Sequence, residues 1–300
     1  MIATNILYGQ GLGNQLYCYV STRCIAADNG YDFCINNTYG ALGDPRFNSN
    51  GVYWMDLDMG VPFDNSITKV YEEKCTRLKL PGNRHDSTIG CDIRGSDPLL
   101  KQCEDNTIIM GLMQSEDYFG HHKNEVKDWL KIKPEHDTYE YTKDNLCVIN
   151  FRGGEYVGNP VFLSHRYWNL AIENMRTLRS DMEFMVISDD PRTAKTFFPD
   201  FPCYHFDVGK DYAIIKNAKH VILSNSTFAF FPVWTSNTIE NIIAPKYWAR
   251  HEQSDGYWAS EQNLYKDWMW QTREGELQTY AECREELDLY LQKNGLVNND

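Results

Sequence analysis

Asn145-Leu-Cys-Val-Ile-Asn-Phe-Arg-Gly-Gly-Glu-Tyr156 is the stretch on which the fold turns. Its apolar run, Leu146 to Phe151, is short, as expected of a buried parallel strand. The run stops at Arg152-Gly153-Gly154-Glu155. Two glycines directly after a strand permit a sharp turn and a close approach of a ligand to the backbone. Arg152 and Glu155 flank that turn at the carboxyl end of a strand, where open α/β sheets hold their ligands. A guanidinium suits a phosphate because its planar fork makes two charge-assisted hydrogen bonds and keeps its charge. The same two residues read equally as a solvated ion pair at a βα turn.

Downstream, the pattern predicts a helix from Ser164 to Leu178, with Tyr167, Leu170, Ala171, Asn174 and Leu178 on one face. A strand from Met182 to Ile187 ends in Ser188-Asp189-Asp190, and Pro191 can open the next helix. A short helix from Tyr212 to Ala218 precedes a strand, Val221 to Leu223. That strand runs into Ser224-Asn225-Ser226-Thr227 and an apolar helix, Phe228 to Trp234. Ile239 to Ala244 offers a further strand, and Thr279 to Lys293 an amphipathic terminal helix.

Upstream, Ile2 to Leu7 reads as a strand, followed by Gly9-Gln-Gly-Leu-Gly-Asn-Gln15. A helix from Leu16 to Asn29 then carries Leu16, Tyr19, Val20, Cys24 and Ala27 on one face and stops at Gly30. Tyr31 to Ile35 completes a βαβ opening. The glycines suggest a dinucleotide site, but that frame needs glycine at position 14, where the chain has asparagine. Residues 36 to 107 suggest long loops and short strands. Ile108 onward reads as a strand leading to a helix, with Ser115 as N-cap, Glu116 and Asp117 in the first turn, and Phe119, Val126, Trp129 and Leu130 on its apolar face. Lys131 to Lys143, charged and holding Pro134, reads as a linker. The expected fold is therefore α/β, with two Rossmann-like domains, 1–140 and 141–300, facing a cleft.

The 300 residues are 42% apolar and carry a net charge of −13, which suits a folded protein and argues against nucleic acid or anionic lipid as partner. No apolar run is long enough to span a membrane. The start of the chain reads as a strand rather than a signal peptide, so the sequons at Asn36 and Asn225 are expected to stay bare, and the scattered cysteines, several of them inside apolar runs, fit a reduced, cytoplasmic setting. The nine cysteines form no CxxC pair, which argues against zinc. His121 and His122 have no third ligand nearby in sequence and read as surface residues. No metal or cofactor is expected, and the oligomeric state is left open.

The strand ends of the second half bring together Arg152 and Glu155, then Ser188 to Asp190, then Ser224 to Thr227, all on one edge of a parallel sheet. Hydroxyls and free N–H groups ahead of a helix suit an anion, or simply cap the helix. Asp189 and Asp190 can accept from a ribose or base edge, or cap the helix at Pro191. Together these edges describe a nucleotide-diphosphate pocket.

These segments resemble a known family. Gly9 to Gln15 is similar to the GLGNQ motif of glycosyltransferase family eleven, the α-1,2-fucosyltransferases. Gly111 to Phe119 resembles their GYWQSEKYF segment, Asn150 to Tyr156 their HxRRGDY, Val186 to Asp190 their FSDD, and Ser224 to Phe228, with Trp234, their SNSSFSWW. The resemblance implies a GT-B-like fold, a GDP-fucose donor held mainly by the second half, a glycan acceptor, inversion at the sugar carbon and no metal. It implies Arg152 on the diphosphate. Around it, Gly11, Gly13, Asn150, Gly153, Gly154, Asp189, Asp190, Ser224, Asn225, Ser226 and Thr227 are expected on the donor side. Asn14 is expected at the catalytic centre, Glu155 as base or orienting acid, and Gln15, Gln114, Ser115 and Glu116 on the acceptor side. The chain departs from the family at Asn150, Gly153 and Glu155, where the family has histidine, a second arginine and aspartate. Either Arg23 or Lys216 is expected to replace the missing cation, or the glycine pair to give a tighter backbone cradle instead. Asp56-Leu-Asp58 has the DxD form some glycosyltransferases use to hold a metal. Alternatives are a transferase of the same fold with another nucleotide sugar, and an inactive nucleotide- or glycan-binding member.

Overall fold

The structure, a computed structural model, describes residues 1–6, 10–36, 52–74, 77–78, 93–258 and 263–295. Leu7, Gly9, most of the sequon at Asn36, Cys75 and Cys91 lie outside them. The first half runs β1 (Ile2–Asn5), α1 (Leu12–Asn29), β2 (Phe33–Asn36), β3 (Lys69–Glu72), the small pair β4 (Arg77–Leu78) and β5 (Ile93–Arg94), β6 (Thr107–Met110) and α2 (Lys123–Trp129). The second runs β7 (Leu146–Phe151), α3 (His165–Leu178), β8 (Glu183–Ser188), α4 (Pro191–Phe197), β9 (Cys203–Tyr204), α5 (Val208–Asn217), β10 (His220–Leu223), α6 (Phe230–Trp234), β11 (Asn241–Pro245), β12 (Met269–Gln271), β13 (Leu277–Gln278) and α7 (Tyr280–Lys293).

Two parallel sheets result. One has the order β2-β1-β6-β3; the other has β13-β12-β11-β10-β7-β8-β9, antiparallel only at β12–β13. In β7 every residue is buried, and its apolar side chains alternate between two clusters. Cys147, Ile149 and Phe151 meet Tyr167, Trp168, Ala171 and Met175 of α3. Leu146 and Val148 join the cluster of α5 and α6 on the opposite face. This period-two alternation is what a central parallel strand must do when helices cover both sides. On α3, Ile172 and Met175 complete the buried face, whereas Leu178 is exposed, which corrects the predicted stripe. Asn174 instead donates to Gln271 Oε1 and the Gly275 carbonyl.

The cluster under β7 continues without a break into the first half, through Ile2, Leu16 and Tyr17. Tyr17 stacks on Phe230 at 4.8 Å between ring centroids, and Phe119 meets Trp234 edge-on at 5.3 Å. Such ring pairs contribute about 1 kcal/mol each beyond their buried area. Helix α1 is consequently buried on most sides, Cys18, Ser21, Thr22 and Ile25 included, rather than along one face. It also begins at Leu12, four residues ahead of the expected start, and Gly30 closes it in the left-handed conformation, as read. Ser115 does act as a cap, accepting from Asp117 N, but over a 3-10 turn; the helix that follows opens only at Lys123. Among the described residues no helix is long and apolar enough to cross a membrane.

Candidate active site

Both sheets present carboxyl edges to one cavity of about 720 Å³. From the first half it is lined by the residues after β1, Gln10 to Asn14. Gly11 is the N-cap of α1, with no side chain capping the helix and no acid in its first turn. The first intrahelical bond runs from Gln15 N to the Gly11 carbonyl, so the N–H groups ahead of it have no partner within the helix. The positive end of an 18-residue helix thus opens on the cavity. A Cβ on Gly11 would meet nothing within 4 Å, whereas one on Gly13 would lie 2.4 Å from the Thr227 carbonyl group. Glycine at 13 lets the two halves touch backbone to backbone.

From the second half come the ends of β7 to β10. Arg152 Nη1 lies 2.7 Å from Asp189 Oδ2, Nη2 pairs with Glu155, and the guanidinium sits 5.3 Å from the Tyr156 ring centre. Among the described residues it is the cavity's one arginine or lysine. Partial burial pushes the Glu155 carboxyl up, but its own backbone N–H and Arg152 outweigh that and hold it below the usual range. Gly153 and Gly154 do not line the cavity. A Cβ on Gly153 would meet Asp190 at 2.6 Å and one on Gly154 would meet Asp189 at 2.8 Å, so the glycines seat the turn against these aspartates. Gly153 N donates to Asp189 Oδ1 at 2.9 Å.

Asp189 lines the cavity, but Asp190 is the N-cap of α4, accepting from the Thr193 hydroxyl and N–H, which hold its pKa below the usual value. The hydroxyl cluster after β10 divides in the same way. Ser226 and Thr227 line the cavity. Ser224 is buried and donates to Asn150 Oδ1 at 3.1 Å, and Asn225 donates to the Val161 carbonyl at 2.8 Å. Asn150 itself reaches the cavity wall.

On the expected acceptor side, Asn14 lines the cavity and its Oδ1 accepts from Gln114 Nε2 at 2.7 Å. Gln15 points away: it is fully buried, and its Nε2 donates to the Gln10 carbonyl. Ser115 and Glu116 line a different cavity, of about 610 Å³, together with Lys123, Trp234, Lys266 and Arg284. Burial raises the Glu116 pKa despite the Trp234 N–H that it accepts. Neither Arg23 nor Lys216 lines the main cavity. Arg23 instead lies over Trp129 at 4.0 Å and Phe33 at 4.6 Å. The DxD acids also stay away, Asp56 pairing with Lys133 at 2.7 Å and Asp58 with Arg23 at 3.6 Å.

Two groups escaped sequence reading. His205, after β9, lines the main cavity with Asp211 of α5, its Nδ1 2.6 Å from Asp211 Oδ2. His121 and His122 do have a partner, Asp28, from the far end of α1, 2.8 to 3.0 Å from both Nε2 atoms. A separation of 93 and 94 residues hid it from a search for local ligand spacing.

The sequence matches no protein-family model. An alpha-1,2-colitosyltransferase of Escherichia coli is 23% identical over 275 residues, covering 82% of this chain and 92% of that protein. The structure of NodZ alpha-1,6-fucosyltransferase soaked with GDP-fucose gives a TM-score of 0.45 at 15% identity, covering 81% of this chain and 94% of that one. NodZ co-crystallized with GDP gives 0.44 at 13% identity over the same shares, 81% and 94%.

Proposed function

We propose that the chain is an inverting, metal-independent glycosyltransferase, with GDP-fucose as donor, a glycan hydroxyl as acceptor and an α-1,2 linkage as product. The observation that carries this reading is the convergence of Arg152 and the uncapped end of α1 on one cavity. That pairing suits a diphosphate, with one phosphoryl group on the guanidinium fork and the other on the backbone N–H groups. The likeness to an alpha-1,2-colitosyltransferase supports sugar transfer as the use of that diphosphate.

In the reaction the bond between the sugar's anomeric carbon and the β-phosphate oxygen breaks, and that oxygen leaves with GDP. The acceptor oxygen bonds to the opposite face, and its proton passes to a base. Arg152 and the α1 N–H groups stabilise the charge gathering on the leaving diphosphate. Glu155, with its depressed pKa, orients Arg152. Asn14, braced by Gln114, faces the sugar from the first half. The free thiols of the described cysteines suit a cytoplasmic setting.

Calorimetry with GDP, followed by a GDP-release assay with GDP-fucose and candidate glycans, tests the reading. Binding and turnover support it, whereas no affinity for GDP ends it. A second reading, transfer of a colitosyl group, is favoured by the name of the relative; turnover with a colitosyl donor and not with GDP-fucose selects it. Chelation leaves turnover unchanged if no metal is needed. Inactivation by a chelator, restored by a divalent cation, contradicts that part.

A further inference from the structure

Asp28, His121 and His122 meet at the end of α1 that faces away from the main cavity. At about 1.5 Å per residue, Asp28 lies roughly 21 Å along the helix axis from Asn14 at the cavity wall. The histidines stand in the 3-10 turn Gly120–His122, which leads into α2. His122 Nε2 is 2.8 Å from Asp28 Oδ1, and His121 Nε2 is 2.9 Å from Oδ2 and 3.0 Å from Oδ1. Among the described residues, these are the one set of three metal-ligating side chains whose donor atoms all lie within 4.8 Å of one another.

Helix α1 gives an independent reason for a cation at this place. The last turn of a helix carries the negative end of its dipole, which disfavours a carboxylate. In α1 that turn holds Asp28 and no basic residue to offset it. The helix end is closed without the aspartate: Gly30 N donates to the Ala26 and Ala27 carbonyls, and Asn29 Nδ2 to that of Ile25 at 2.8 Å. A second carboxylate, Glu125, lies 3.6 Å from His122 Nδ1. It favours the tautomer with the proton on Nδ1, which leaves the Nε2 lone pair aimed at Asp28. A lone pair 2.8 Å from a carboxylate oxygen needs a cation, a proton or a metal ion, between them. With both imidazoles neutral, Asp28 and Glu125 leave two negative charges, which a divalent cation balances. His121 is 49% exposed and also lines the second cavity, so an ion can enter and water can complete its coordination.

We propose that Asp28, His121 and His122 bind a divalent transition-metal ion of the zinc type through one carboxylate oxygen and the two Nε2 atoms, with water as the fourth ligand. A tetrahedral ion with bonds of about 2.0–2.1 Å holds its ligand atoms about 3.3 Å apart, so the three side chains spread by only a few tenths of an ångström to admit it. Two imidazoles and one carboxylate suit zinc, nickel or cobalt, whereas magnesium and calcium take oxygen ligands. The ion pins the end of α1 to the turn that opens α2. Its role is structural and it takes no part in sugar transfer, so this inference does not rest on the nucleotide-sugar reading above.

The test is calorimetric titration of the full chain, free of any affinity tag and stripped of metal with a chelator, with zinc and with magnesium, followed by thermal melting. Wild type takes up one zinc ion per chain and does not bind magnesium, and its melting temperature rises with zinc concentration. Asp28→Asn, His121→Ala and His122→Ala each weaken zinc binding by more than about tenfold and lose the rise in melting, and Glu125→Ala weakens it by about tenfold. Asp28→Asn keeps a hydrogen-bond acceptor for the histidines and relieves the charge at the helix end, so without metal it melts no lower than wild type. No zinc uptake by wild type, equal affinity for magnesium, or wild-type zinc affinity in any of the three ligand variants overturns the proposal. A wild type indifferent to zinc, with a metal-free Asp28→Asn that melts lower, reduces the cluster to an ion pair and also overturns it.

Discussion

Asp189 Oδ2 lies 2.7 Å from Arg152 Nη1, so the cavity's arginine is aimed by a carboxylate on the neighbouring strand end. Glu155 grips the other arm of the same fork. The guanidinium is thereby fixed in plane before any ligand arrives, which lowers the entropy lost on binding. The two carboxylates also oppose an incoming anion.

That opposition gives the first prediction. Glu155→Gln removes a largely exposed charge beside the anion site while keeping an acceptor for Arg152. GDP binds a few-fold more tightly at low salt, and the gain fades as salt screens the charge. Turnover stays within about tenfold of wild type, because a carboxyl held below its usual pKa is a weak base. A loss of turnover by a thousandfold with intact GDP binding makes Glu155 the base.

Gly13 and Gly11 provide a matched pair. Gly13→Ala forces a Cβ to 2.4 Å from the Thr227 carbonyl group, so the halves must separate, at a cost of about 1–3 kcal/mol. Gly11→Ala has open space around its Cβ and an ordinary backbone φ of −65°, so stability changes little. Thermal melting of both variants checks this. Equal melting temperatures for the two contradict the packing described here.

The cap at Asp190 predicts a pH dependence. Its folded pKa lies below the usual value because the Thr193 hydroxyl and N–H favour the charged form. A lowered folded pKa contributes stability above the unfolded pKa of 3.8, and that contribution is lost as pH falls through the folded value. Asp190→Ala therefore costs about 1 kcal/mol at pH 7, and the difference from wild type shrinks below about pH 4. Urea unfolding at several pH values measures it. A difference independent of pH contradicts the charged cap.

The fold was legible wherever local pattern and tertiary environment agreed. Leu146 to Phe151 is apolar at every position but Asn150 because both faces of β7 are covered, and its bounds were legible to the residue. The start of α1 was not, because Gly11, Gly13 and Asn14 are poor helix formers. Position 13 is glycine because of Thr227, more than 200 residues away, and no local pattern reports that contact. The site divides along the same line. Arg152, Glu155 and Asp189 sit at strand ends whose side of the sheet follows from parallel topology, and all three line the cavity. Ser224, Asn225 and Asp190 carry the same residue types but are spent on holding loops and a helix end. His205 and Asp211 belong to a strand end and a helix start with no shared motif, so their pairing appears only in three dimensions.

The central claim is that Arg152 holds the diphosphate of a nucleotide donor, and the most direct measurement is GDP affinity by calorimetry for wild type, Arg152→Ala and Arg152→Lys. The account predicts a loss of about tenfold or more for alanine and a smaller loss for lysine, which keeps the charge without the fork, with both variants melting near wild type. GDP affinity unchanged in Arg152→Ala would contradict it.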